Sequence, residues 1–167
     1  LARMGFDTQD VADMVTLYWI AAHDAANGIV GQETDPAIAR AARQQIGGMT
    51  ASMPQLAQMS AAEKQDLADT MLLQGLLIEG RMQSAKAAGP QMVQQMSDQI
   101  HREASELTKA DLRAMELTTA GFRPKHAFAL WRPETLCYRL PTEAGNGPVG
   151  VNRRQGVSCG FRALHWL

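Results

Sequence analysis

Through most of residues 5–122 the apolar positions recur every three or four residues, the spacing of one face of an α-helix. Val11, Met14, Val15, Tyr18, Ala22 and Ala25 form the first such stripe. Asp7 and Asp10 precede it as capping residues, with Phe6 and Val11 at the spacing of a hydrophobic staple. Asn27-Gly28 closes it as a left-handed stop. Leu17, Trp19 and Ile20 fall off the stripe. A helix apolar on more than one side touches several neighbours. Leu17 and Ile20 are therefore expected to face either a second layer of the fold or a partner, and Leu17, Trp19 and Ile20 form the candidate interaction surface.

Thr34-Asp35-Pro36 starts a second helix, which Gly47-Gly48 weakens and Pro54 ends. Ser60-x-x-Glu63 is a capping box that opens the longest helix, about 61–88, stopped at Gly89-Pro90. Leu67, Met71, Ile78, Met82 and Ala85 line one face of it, and Leu72, Leu73, Leu76 and Leu77 widen that face until its middle reads as buried nearly all round. Gly75 and Gly80 each cost about 1 kcal/mol of helix propensity relative to Ala, which predicts close approach of a neighbouring backbone. A fourth stripe, Met92, Val93, Met96, Ile100, Ala104 and Leu107, predicts a helix over about 91–107, paired with the third as an antiparallel hairpin. Thr108-x-x-Asp111 predicts a last short helix to about Met115. The expected fold is all-α, an antiparallel bundle of about four main helices over residues 1–122 with the first and third central.

From residue 123 the pattern changes. All ten Met lie before this point, while two of the three Trp, Cys137 and Cys159 lie after it among scattered Arg, Pro and Gly. Charge breaks at the same place. Residues 1–121 hold 9 Lys and Arg against 15 Asp and Glu, a net −6, and residues 122–167 hold 7 against 2, a net +5. Residues 123–167 thus read as a basic, irregular tail. A shifted reading frame in GC-rich DNA yields such a mixture, and a genuine C-terminal extension is the alternative. The spacing of Cys137 and Cys159 allows one disulfide, but neither lies in a zinc-type pair. No apolar run approaches the ~20 residues of a membrane-spanning helix. The chain begins at Leu1 without Met, from which removal of an N-terminal segment is expected.

Several short motifs occur together: Asp10-Val11-Ala12-Asp13 leading to Leu17-Tyr18-Trp19 and Asn27-Gly28, Ala41-x-Arg43-Gln44-Gln45, Ser60-x-x-Glu63-Lys64-Gln65-x-Leu67-Ala68, and Leu117-Thr118-x-x-Gly121-Phe122. As a set they resemble an uncharacterised, mainly proteobacterial helical family, a domain of unknown function often found behind a signal peptide. The resemblance covers about residues 5–122. It implies an all-helical fold and a periplasmic or secreted address, leaves a cytoplasmic one open, and carries over no catalytic residue.

Candidate chemistry is sparse. His23 and Asp24 are adjacent, so they point about 100° apart on a helix and are not expected to pair through adjacency. They read as part of a solvated polar face. Trp19, His23 and Asn27 share a line at i, i+4 and i+8. The pairs Met49/Met53 and Met92/Met96 have the spacing of a thioether cluster that could hold Cu(I), although flexible core packing is the commoner use of Met. Arg123, Lys125, Arg132, Arg139, Arg153, Arg154 and Arg162, interleaved with aromatic residues, suggest nucleic-acid contact through the tail, against the acidic charge of the helical part. No nucleophile constellation and no phosphate loop is present, so no catalytic, cofactor or metal residue is assigned. The leading expectation is a non-enzymatic helical interaction or structural protein of the bacterial envelope, contacting a protein partner or itself. A Cu(I)- or nucleic-acid-binding module is the alternative.

Overall fold

The structure, a computed structural model, describes residues 5–125. Within them the order is α1 (Val11–Ala26), α2 (Pro36–Ala51), a short α3 (Pro54–Gln58), α4 (Ala61–Ala88), α5 (Pro90–Thr108), a 3-10 turn (Leu112–Ala114) and a two-stranded antiparallel hairpin of β1 (Met115–Thr118) and β2 (Gly121–Pro124). The four long helices and their boundaries follow the sequence pattern closely, because each end carries its own chemical signal. Asp35 caps α2 with Pro36 in its first turn. Ser60 and Glu63 form the reciprocal capping box of α4. Gly89, at φ 113°, turns the chain between α4 and α5 without a side chain to obstruct it.

Of the two capping residues expected before α1, one caps the helix and the other a turn ahead of it. Asp10 is the cap, its carboxylate accepting from the backbone of Ala12 and Asp13. Asp7 instead holds the preceding turn through Gln9. Asp10 wins because its extended backbone aims the carboxylate at the free N–H groups of the first turn. Asn27 and Gly28 end the helix, with Gly28 at φ 72°.

Helix α1 is the centre of the fold. It packs most extensively on α4 and also touches α2 and α5. Two apolar clusters lie on its two sides. Tyr18, Ala22 and Ala25 meet Ile78 and Met82 of α4, Ile100 and Ala104 of α5, and Leu112. Met14 and Ile20 meet Ala39, Ala42 and Ile46 of α2, together with Phe6 and Phe122. At the α1–α4 crossing a Cβ on Gly75 would touch Leu17 and the Tyr18 backbone at 3.8 Å, so the predicted close approach is present there. At Gly80 nothing lies within 4 Å, and the expected neighbour is absent among the described residues.

The hairpin was not anticipated by an all-helical reading of this stretch, and the last short helix is only a 3-10 turn capped by Asp111. Four-residue strands leave almost no alternation to read. Thr118 pairs with Gly121 across Thr119-Ala120, and Gly121, the residue just after that turn, takes a left-handed φ of 85° that glycine adopts without strain. Residues 123 and 124 belong to β2, so the folded part runs past the boundary expected at 122. No helix of the described residues is long and apolar enough to cross a membrane.

Candidate functional site

Two places were singled out by residue type: the line of Trp19, His23 and Asn27 on α1, and the surplus apolar residues Leu17, Trp19 and Ile20. The structure puts both under cover. Ile20 is only 5% exposed, seated between α2 and the hairpin. Leu17 and Trp19 are half-buried and packed against the clusters. The interaction surface expected at Leu17, Trp19 and Ile20 is thus an internal seam: Leu17 meets α4 at Gly75, and α2 with the β-hairpin forms the second layer over Trp19 and Ile20. Trp19 and His23 both meet the Phe122 ring edge-on, at centroid distances of 5.6 and 5.7 Å. Asn27 donates to the carbonyl of Leu112 at 3.2 Å, and its side-chain oxygen accepts from Lys125 Nζ at 2.8 Å. The i, i+4, i+8 line on α1 is therefore the track on which residues 112–125 dock.

His23 is also not on a solvated face. It is 5% exposed, and contrary to the adjacency argument its Nδ1 lies 2.9 Å from Asp24 Oδ1. Side chains one residue apart diverge at their roots, but an Asp carboxylate on the helix surface can swing back across the intervening angle. The other ring nitrogen, Nε2, faces the backbone carbonyl of Met115 at 3.3 Å. Both ring nitrogens are turned to groups of the fold and the ring lies against Phe122, so His23 presents neither nitrogen to open space. The arrangement anchors β1 to α1. The cleft beside Asp24, lined also by Ala21, Val30 and Gln83, holds about 20 Å³, room for about one water.

Asp13 is the polar residue that sequence reasoning missed. It is completely buried, its carboxylate paired with Arg43 of α2 and accepting the backbone N–H of Asp7 at 2.8 Å. Nearby, the Gln45 amide brackets the outer edge of β2. Its Oε1 accepts from Phe122 N at 2.7 Å and its Nε2 donates to Phe122 O at 3.2 Å. Gln45 thus fills the hydrogen-bonding positions of a missing third strand and closes an edge that would otherwise be open. A Cβ on Gly121 would run into the Gln45 side chain. No signal within a single helix announces these contacts, because the partners lie 30 and 77 residues apart.

The open surface is elsewhere, on α4. Leu73, Leu76 and Leu77, expected inside, are 58%, 56% and 55% exposed. About eight turns of helix offer more apolar side chains than α1 and α5 cover among the described residues. Leu76, Leu77, Gly80, Ser84, Ala88, Met92 and Met96, with Arg81 at the margin, line an open groove of about 620 Å³ between α4 and α5. Met92 is exposed, as are Met49 and Met53, so these Met do not take the core positions expected of them. Arg81 is held by Glu103 of α5 through contacts of 2.8 and 3.3 Å, which lowers the Glu103 pKa. Among the described residues no group of three or more His, Cys, Asp or Glu is placed to hold a metal ion. Cys137, Cys159 and most of the basic tail lie outside the described residues.

Fold and geometry together define a helical domain with one side closed by a C-terminal hairpin and the other carrying an open apolar groove. Compared with known proteins, the chain matches no family model, no curated protein and no solved structure.

Proposed function

We propose that the protein is a non-enzymatic helical interaction protein whose contact surface is the outward face of α4 with the adjoining wall of α5. The observation that carries this reading is the exposure of three neighbouring leucines, Leu73, Leu76 and Leu77, along an open groove. Single exposed apolar residues are ordinary, but a contiguous patch rimmed by polar side chains is a feature of docking surfaces. Full burial of one leucine is worth about 1.5–3 kcal/mol, so this strip supplies a driving force that a partner helix can use. The buried polar groups of α1 support the same reading, since Asp13 and His23 are engaged in holding the fold together. A bacterial-envelope address belongs to the proposal, and its support is the resemblance of residues 5–122.

The test is site-specific photo-crosslinking of the full chain in bacteria that naturally carry the gene. A photoreactive residue at position 77 should yield a protein adduct. One at Gln94, exposed on the side of α5 opposite Met92 and Met96, should not. If position 77 captures no protein at all, neither another copy nor a different chain, the interaction reading is overturned.

A further inference from the structure

We infer that the occupant of this surface is a second copy of the chain, its α4 lying antiparallel to the first α4 across a two-fold axis at Gly80. This rests on the interaction reading above and specifies its partner. Helical spacing places Leu73, Leu76, Leu77, Gly80, Ser84 and Ala87 on the outward face of α4, opposite the buried Ala68, Gly75 and Met82. The large residues occupy the first half of that strip and the small ones the second. Antiparallel pairing about Gly80 sets Leu76 of each copy against Ser84 of the other, and Leu73 against Ala87. A surface that is its own complement under a two-fold rotation is what an isologous dimer requires. Gly80 has open space where a Cβ would stand, so it imposes no bulk at the crossing.

Charge points to the same orientation. Asp66 and Asp69 lie exposed on the same face beyond the leucine end. The small-residue end abuts the start of α5, which has no side-chain cap and no acidic residue in its first turn. An antiparallel pair brings the aspartates of one copy beside that positive helix end of the other. A parallel pair would set aspartate against aspartate. The strip from Leu73 to Ala88 is about 24 Å long and about 10 Å wide. That is well below the ~800 Å² per partner of a standard interface. A contact of that size makes a reversible association rather than a permanent one.

The full chain is followed by sedimentation velocity across micromolar concentrations. The expected result is a monomer–dimer equilibrium that Leu76→Glu abolishes while helical circular dichroism and melting temperature stay unchanged. In a Cys137→Ser, Cys159→Ser background, Gly80→Cys should join two copies under a short bis-maleimide. Thr70→Cys, exposed on the same helix but about 30 Å from its own counterpart in this arrangement, should not. A chain that stays monomeric throughout, or a Thr70→Cys that cross-links as well as Gly80→Cys, overturns the two-fold dimer. A monomer whose position 77 still captures a different protein in cells defeats the second copy alone and leaves the interaction reading standing.

Discussion

Two helices of this domain carry more apolar residues than one packing face can use, and the fold treats them in opposite ways. In α1 the surplus is covered from within the fold, Leu17 at the α4 crossing beside Gly75, Trp19 and Ile20 by α2 and the β-hairpin. In α4 the surplus, Leu73, Leu76 and Leu77, stays open beside the groove. Residue types alone do not separate the two cases. What differs is whether chain distant in sequence returns to cover the surplus. For α1 it does, drawn by specific hydrogen bonds: Gln45 to Phe122, His23 to Met115 and Asn27 to Leu112. Among the described residues, an apolar surplus therefore stays open where no such polar anchors bring a distant segment over it.

The strongest way to test that contrast is to truncate one residue of each surplus. Ile20→Ala empties a site with α2 and Phe122 around it and should cost about 3 kcal/mol in denaturant unfolding. Leu77→Ala removes a side chain already largely in water and should change stability by less than about 0.5 kcal/mol. Comparable losses at both positions would mean that the two helices are covered alike.

A second test concerns the roof itself. Gly121→Ala places a methyl group against the Gln45 amide and forces a positive φ on a residue with a side chain. It should destabilise the domain by about 2 kcal/mol and loosen the hairpin first, seen as faster hydrogen exchange at Phe122 than in α4. Uniform loss of protection would show instead that the hairpin is no separate element of the closed side.

These effects also mark where sequence reading succeeds. The ends of α2, α4 and α5 and the stop of α1 were legible because caps and breakers act within a few residues of where they stand. Asp13 was not legible as a buried charge, since its carboxylate is explained only by Arg43 on the next helix and by the backbone of Asp7. The hairpin was not legible either. Its strands are four residues long, and what holds β2 in place is a glutamine on α2 rather than a longer ladder. The open groove was misread for a related reason: helical periodicity counts apolar residues on α4 but cannot count the neighbours available to bury them.

The smallest expected effects come from two arginines that pair with carboxylates of α5, Arg113 from the 3-10 turn and Arg81 from α4, one serving each side of the comparison. Arg113 donates through Nη2 to Asp98 at 2.6 Å and through Nε to the carbonyl of Ala26 at 2.7 Å, tying the entry of the hairpin to the end of α1. Arg81 bonds Glu103 beside the groove and reaches nothing on α1. Hydrogen bonding to the arginines holds both carboxyls below their ordinary pKa values of 3.8 and 4.5. A folded-state pKa below the unfolded value means stability that is full above the ordinary carboxylate range and is lost as pH falls through the folded pKa. Acid should therefore weaken the domain progressively from about pH 4.5 downward, with Arg113→Ala and Arg81→Ala each flattening part of that slope. At neutral pH the two variants should separate. Arg113→Ala also leaves the Ala26 carbonyl without its donor, a loss of about 1 kcal/mol. Arg81→Ala breaks a largely solvated pair and should cost at most about 0.5 kcal/mol after solvent screening. Equal losses at neutral pH would place Arg113 outside the anchoring of the roof, and the closed side would then depend on His23, Asn27 and Gln45 alone.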